Sequence, residues 1–336
     1  MFHAKSIAIA GAVVALGLAA SGPAQALVLT TDGINDGFIL STFVSGYSYS
    51  FGAYGPLAQG IAPNGNVITG NEGDAKIYVF NDVDGQTLGS AVSATPYTFT
   101  TVNPDYAMTT AGGQVYGAQL QGALYEHFLN DGSHSAIPGL TATNFLGMWG
   151  NPVNGHIIAA SQQGLIDIDP VAGTFRVINA GLFPDGVSVS PDGLTAYVAN
   201  VGCVQGYNIA TGLSTGLNVC VGHGPDGTGV ISGGLFNGDI IVNNNDGTVG
   251  LINPGFGTED IIASGGTRGD FVSPDTSNGT LFLSQMTEVD RLSCGPGCSI
   301  GSTTVPEPAS LALLGTALAG FGLMRRRRKL RRDFRI

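Results

Sequence analysis

Oxygen-bearing side chains recur along this chain at near-regular intervals. Asp105 in PDYAM, Asp185 in PDGVSV, Asp226 in PDGTGV and Asp270 in GDFVSP each open a short apolar run. Gln59, and Leu146 or Gly147, hold the same place in two further runs. A second column closes the following runs: Asn71, Gln119, Ser161, Asn200, Asn244 and Gln285, each an amide or a hydroxyl. Hard cations such as Ca²⁺ take six to eight oxygen ligands of these kinds. Asp105, Asp185, Asp226 and Asp270, with Asn200 and Asn244, are therefore candidate ligands of one cation. Aspartate before glycine is also ordinary turn chemistry, capping the backbone at a strand entry. Both readings stand at this point.

The two columns meet only if the chain repeats as strands. No convincing amphipathic helix occurs between residues 27 and 304. Instead one phrase returns: a Gly or Asn turn, a β-rich run, a polar gap, a second β-rich run and another turn. The first run reads NVITGN (66–71), QVYGAQ (114–119), HIIAAS (156–161), TAYVAN (195–200), DIIVNN (239–244) and TLFLSQ (280–285), at spacings of 48, 42, 39, 44 and 41 residues. A period near 40 with three or four strands per unit is a β-propeller blade. The expected fold is all-β: a six-bladed propeller over 27–304, with seven blades as the alternative count. The segment FILSTFV at 38–44 has no unit of its own. It is expected to complete the last blade, because an open ring leaves exposed strand edges. In this arrangement the start of each innermost strand and the end of its antiparallel neighbour share one end of the sheet. Both polar columns then surround the channel mouth.

The phrase SPDGLTAYVAN (190–200) resembles the repeat unit of YVTN, NHL and gluconolactonase-like propellers. That resemblance implies a propeller fold. It also raises a metal-dependent lactonase, in which an early Glu with Asn and Asp from later blades holds the metal and an Asp serves as base. Asp185 and Asp226 lie in matching PDG phrases, and Asn200 lies near an expected ligand. The early Glu is missing, since that stretch reads Pro56-Leu57-Ala58-Gln59-Gly60. No Gly-x-Ser-x-Gly elbow offers a serine nucleophile. His223 falls on the expected channel face, while His127, His134 and His156 show no metal-ligand spacing. Trp149 and the tyrosines offer sugar-stacking surfaces or packing between blades.

The four cysteines, Cys203, Cys220, Cys294 and Cys298, contain no Cys-x2-Cys pair. An even count in an exported body reads as disulfides. Pairing 203 with 220 and 294 with 298 is the simplest of three connectivities. The first would close a loop of 17 residues, worth about 3 kcal/mol in the chain-entropy account.

Both chain ends read as addresses. Residues 1–26 have a basic start at Lys5, an apolar run from Ile7 to Ala20 and the small-x-small site Ala24-Gln25-Ala26. This is the pattern of a signal peptide, and it implies the Sec translocon and a signal peptidase as partners. Residues 305–336 place Pro306-Glu307-Pro308 before an apolar stretch, 309–324, and a basic end, 325–336, that opens with Arg325, Arg326, Arg327 and Arg328. A single transmembrane helix is expected over 309–324, with the basic end cytoplasmic. The three parts in this order resemble the PEP-CTERM sorting signal. That resemblance implies processing by an exosortase, a membrane-embedded transpeptidase-like enzyme, and a producer of exopolysaccharide or biofilm matrix. It implies transient anchoring in the inner membrane with the body periplasmic, then delivery to the cell surface or extracellular matrix.

Charge narrows the partners. The chain as a whole carries −11. Between residues 27 and 305, 22 acidic residues face only Lys76, Arg176, Arg268 and Arg291, a balance near −18. Such a body repels nucleic acid and anionic membranes. The expected function is that of a surface-sorted binding or structural module, contacting matrix polysaccharide or other surface proteins. The rival is a metal-dependent, gluconolactonase-like hydrolase.

Overall fold

A computed structural model describes residues 26–49, 54–96, 106–119, 124–127, 131–140 and 145–301. Five blades are each drawn from one continuous stretch of chain. The third shows the plan. Phe145–Gly150 is innermost, followed outward by Ile157–Ser161, Gly164–Asp169 and Thr174–Asn179, all antiparallel. The fourth runs Pro184–Val189, Thr195–Asn200, Cys203–Asn208 and Ser214–Cys220. The fifth begins with the long inner strand Pro225–Gly233 and passes through Ile240–Asn244 and Val249–Asn253 to Thr258–Ser264. The first two blades, opening at Pro56–Ile61 and Tyr106–Ala111, follow the same order.

Burial explains the composition of these strands. Every residue of Ile157–Ser161 and of Ile240–Asn244 is buried, because each lies between the faces of two neighbouring sheets. Strands enclosed on both sides read as apolar runs without alternation. The outermost strand, such as Ser214–Cys220, meets solvent and is largely exposed.

The ring closes through a sheet of different construction. Val272–Asp275, Thr280–Ser284 and Glu288–Ser293 come from the end of the body, and Ile39–Ser45 from its beginning. Gln86–Thr87 then adds a short parallel strand from the first blade. The inner strand Val272–Asp275 packs against Pro225–Gly233 on one side and Pro56–Ile61 on the other. The expectation of six or seven like blades is thus corrected. Five blades are continuous repeats, and the remaining strands form a composite closure. Segment 38–44 gave no period of its own because its hydrogen-bond partners lie some 250 residues away in sequence. No helix among the described residues is long and apolar enough to cross a membrane. Stretch 309–324 lies outside the described residues, as do the signal-peptide residues 1–25.

Aromatic and ionic contacts hold the closure to the first blade. Phe43 packs on Phe282 and Phe80. The Arg291 guanidinium lies over Phe43 and Phe282, with centroids 5.0 and 4.8 Å away. It pairs with Asp82, with Asp84 at 2.9 Å and with Asp275 at 3.1 Å. One side chain thereby joins the closing sheet to the 81–85 loop of the first blade. Both disulfides are present, Cys203–Cys220 and Cys294–Cys298. Cys203 and Cys220 stand directly opposite on neighbouring strands.

The closing sheet also buries Asp290, whose Oδ2 has no hydrogen-bond partner. Burial, then repulsion from Glu288, pushes its carboxyl up to about 8 against the hydrogen bond from Thr42. A carboxyl raised in the folded state favours folding at low pH, and that advantage is lost as pH rises through the folded value. Asp290→Asn should therefore gain thermal stability over the parent steadily from about pH 4 to about pH 8. The difference in Tm should level off above pH 8. A difference that does not change with pH would contradict this account.

Candidate functional site

Several inner strands enter their sheets at the channel mouth through an irregular step. The register slips between Pro184 and Val187, between Pro225 and Gly227, and between Phe145 and Gly147. Such bulges re-aim a side chain at the end of a strand. The step falls on Asp185, Asp226 and Leu146 in the three strands. The glycine that follows allows the inner strands to crowd together. A Cβ on Gly186 would meet the carbonyl oxygen of Asp226 at 2.0 Å, and one on Gly147 would meet that of Asp185 at 2.7 Å. The PDG phrase thus serves close approach around the axis as well as turn formation.

Asp185, Asp226 and Asp270 do come together, and the cation among them belongs to the protein. Arg268 Nη2 lies 3.4 Å from Asp226 Oδ2, and Nη1 lies 3.1 Å from Asp270 Oδ2. Its Nε donates to Asn245 Oδ1 at 2.7 Å. Its guanidinium lies 4.4 Å from the centroid of the Tyr54 ring. Asp226 is wholly buried, and its Oδ1 has no hydrogen-bond partner. Burial first, then the charges of Asp270 and Asp185, raise the Asp226 carboxyl well above the usual range, against Arg268 and Asn245. Burial opposes the charge on Arg268, but Asp270 and Asp226 outweigh it and hold the guanidinium protonated.

The other candidates lie elsewhere. Asn200 Nδ2 donates to Gln205, and its Oδ1 accepts from the Phe183 amide. Asn244 Nδ2 donates to Thr248 and Glu259. Their hydrogen bonds stay within their own blades or at the adjoining rim and do not reach the carboxylate cluster. Asn243, one residue earlier, spans the sheets instead, donating to the carbonyls of Asp270 and Ser284. Gln59 is buried between the first blade and the closing sheet, where its amide nitrogen donates to Ser284 Oγ at 3.1 Å. By register the first blade's counterpart of Asp185 is Leu57, since Pro56 pairs with Asn71 as Pro184 pairs with Asn200. Asp105 lies outside the described residues. His223 forms an exposed pair with Asp246 at 2.6 Å, which raises the histidine. Trp149 is core, buried beside Gly301.

These contacts test the metal that a lactonase resemblance implies. Among the described residues, no three His, Cys, Asp or Glu side chains are arranged to hold an ion. The place between the carboxylates is filled by a guanidinium, which would repel Ca²⁺. The donor set does not fit a hard cation.

Two recesses open at this mouth. One, of about 310 Å³, is lined by Tyr54, Leu146, Gln162, Phe183, Asp185, Arg268, Asp270 and Phe271. The second, of about 290 Å³, shares Leu146, Phe183 and Asp185 and continues toward Val201 and Asn245. Phe183 is 62% exposed on their common wall. Val201 stands at φ 50°, a left-handed conformation that a β-branched residue rarely adopts. Sequence reasoning missed Arg268, Tyr54, Gln162 and Phe183. Arg268 alone carried a usable signal, as one of four cations in the body and two residues before Asp270.

Comparison with known proteins adds the address. Residues 304–328 match the family described as the PEP-CTERM protein-sorting motif. The tail is a PEP-CTERM sorting motif. The motif implies processing by an exosortase, export, and sorting to the surface or extracellular space. Pro306, Glu307, Pro308 and Arg325 through Arg328 fall within the match and outside the described residues. The body is similar in structure to a gluconolactonase from Xanthomonas campestris, with TM-score 0.58 and 14% identity over 81% of this chain and 98% of that one. A second protein assigned as a gluconolactonase gives TM-score 0.55 and 15% identity over 80% and 97% of the two chains. These likenesses show the propeller fold alone. No curated protein matches the sequence.

Two substitutions test the geometry of the mouth. Arg268→Gln leaves buried Asp226 beside two other carboxylates without their cation. Breaking a buried pair from one side costs about 3 kcal/mol or more. Urea unfolding should show this loss at pH 7 and a smaller one at pH 4, where the carboxylates take up protons. Gly186→Ala should cost about 2 kcal/mol through overpacking, and a variant as stable as the parent would refute the close approach.

Proposed function

We propose that this exported propeller acts as a binding module at the cell surface or in the extracellular matrix, and that the Arg268 mouth seats a hydroxyl-rich polysaccharide segment. One observation carries the reading: an internal guanidinium already occupies the place between Asp226 and Asp270. The recess is therefore left with aromatic walls and polar rims, not with a metal cage. Aromatic faces such as Phe183 pack against the apolar face of a sugar ring. Asp185, Gln162 and Asn245 bring acceptors and amide donors that suit hydroxyl groups. A concave site with apolar walls and a few convergent polar groups is the usual form of a small-ligand seat.

The hydrolase alternative has less support here. Its early Glu is replaced by the sequence around Gln59, and Arg268 takes the position that a metal would need.

Calorimetric titration of the purified protein with neutral oligosaccharides from the matrix should show binding. Phe183→Ala should weaken that binding about ten-fold or more and leave Tm unchanged. Metal-stimulated hydrolysis of small lactones would favour the enzyme instead. A rise in Tm with millimolar Ca²⁺ would restore a cation site, because a ligand that binds only the folded state must stabilise it.

A further inference from the structure

The two recesses at the mouth differ in charge. Arg268 and Asp270 line the first together with Asp185. The second, of about 290 Å³, has Asp185 as its one ionisable side chain among the described residues. The guanidinium is engaged away from it. Its Nη1 and Nη2 face Asp270 and Asp226, and its Nε donates to Asn245. Of the three carboxylates, Asp185 acts on Arg268 least. Even with buried Asp226 protonated, Asp185 and Asp270 share a single guanidinium, so the mouth stays negative. The acidic body around it adds to the attraction for cations.

The walls of the second recess are apolar and firmly held. Leu146, Phe183, Ala199, Val201 and Pro225 supply most of them. Val201 and Gly202 form a two-residue hairpin turn between Asn200 and Cys203, with φ of 50° and 77°. Positive φ at both positions is the turn that suits the twist of the flanking strands. The Cys203–Cys220 disulfide joins the strands directly behind that turn. The Gly224 wall is tied by the Asn245 amide, which donates to the Gly224 carbonyl at 2.8 Å. Such a seat needs little ordering when a ligand arrives.

This set of groups selects its occupant. A hard divalent ion takes six to eight oxygens, and the recess offers one carboxylate and the Asn245 amide in an apolar wall. An anion would be repelled by Asp185. A primary ammonium group fits: it is compact, carries one charge and has three donors. Its charge pairs with Asp185, and the face of Phe183 attracts it further.

The geometry points to a primary ammonium group as the occupant of the second recess, and so to a glycan bearing free amino sugars as the ligand of the mouth. The hydroxyl-rich remainder of the chain lies in the Arg268 recess beside it. This inference rests on the reading of the mouth as a polysaccharide seat and narrows it. Chains with free amines are preferred over N-acetylated chains and over chains carrying carboxylates.

The test is calorimetric titration of the purified protein with a glucosamine tetramer and with its fully N-acetylated counterpart. At about pH 6 and low salt the carboxylates are ionised and the amines protonated. The free-amine tetramer should bind about ten-fold tighter or more. Asp185→Asn should cut that ratio to about two-fold or less. Val201→Lys, on an exposed turn, places a competing ammonium at the recess and should cut it likewise, which keeps the test decisive if Asp185→Asn does not fold. Asp192→Asn removes the same charge from the exposed turn after the same inner strand, and should leave the ratio at the parent value. Equal binding of the two tetramers overturns the inference and leaves the polysaccharide seat standing. Binding of neither overturns both. A ratio that survives Asp185→Asn and Val201→Lys, or that falls equally in Asp192→Asn, assigns the preference to the acidic surface as a whole and also overturns the inference.

Discussion

The structure depends on closing a ring. A propeller sheet buries its faces only against its neighbours, so a gap anywhere exposes two apolar faces at once. Here the gap is sealed by strands from both ends of the body. Ile39–Ser45 lies along Glu288–Ser293, and the Arg291 guanidinium reaches across to Asp82, Asp84 and Asp275. The pairing is long-range, and long-range pairing carries the largest loop-closure cost. Phe43, Phe80 and Phe282 offset part of that cost by burying aromatic surface at the seam.

Closure also sets the chemistry of the mouth. Once the ring is shut, bulged strand entries bring Asp185 and Asp226 toward one axis, and the loop before Val272 brings Asp270 beside them. Three carboxylates so placed would repel one another strongly in a poorly hydrated site. Arg268 offsets that repulsion, and Tyr54 supports its flat face. The result is a polar floor under an aromatic rim. The same strand directions divide the molecule into two faces. The recesses lined by Phe183, Asp185 and Leu146 lie at one of them.

The sequence alone determined the repeat, the position of the polar columns and the sorting motif. Each is a local pattern: runs of five or six residues, PDG steps, and three unlike segments in order. It also suggested both disulfide partners, because cysteines at the ends of adjacent strands are close in sequence. Tertiary structure decided what the columns mean. Asn200 and Asn244 share a strand end with the aspartates, yet their side chains bond within their own blades or at the rim, since which face a residue takes depends on register and bulges. Leu57, and not Gln59, occupies the first blade's aspartate position for the same reason. Arg268 lies in a loop with no periodic signal, and only the folded ring brings it 42 residues back to Asp226. Five continuous blades and a composite closure likewise emerge only in three dimensions, because the closing strand's partners are remote in sequence. Local hydrogen-bonding patterns can be read along a chain, whereas the filling of a shared axis by charges from separate blades is set by how the ring closes.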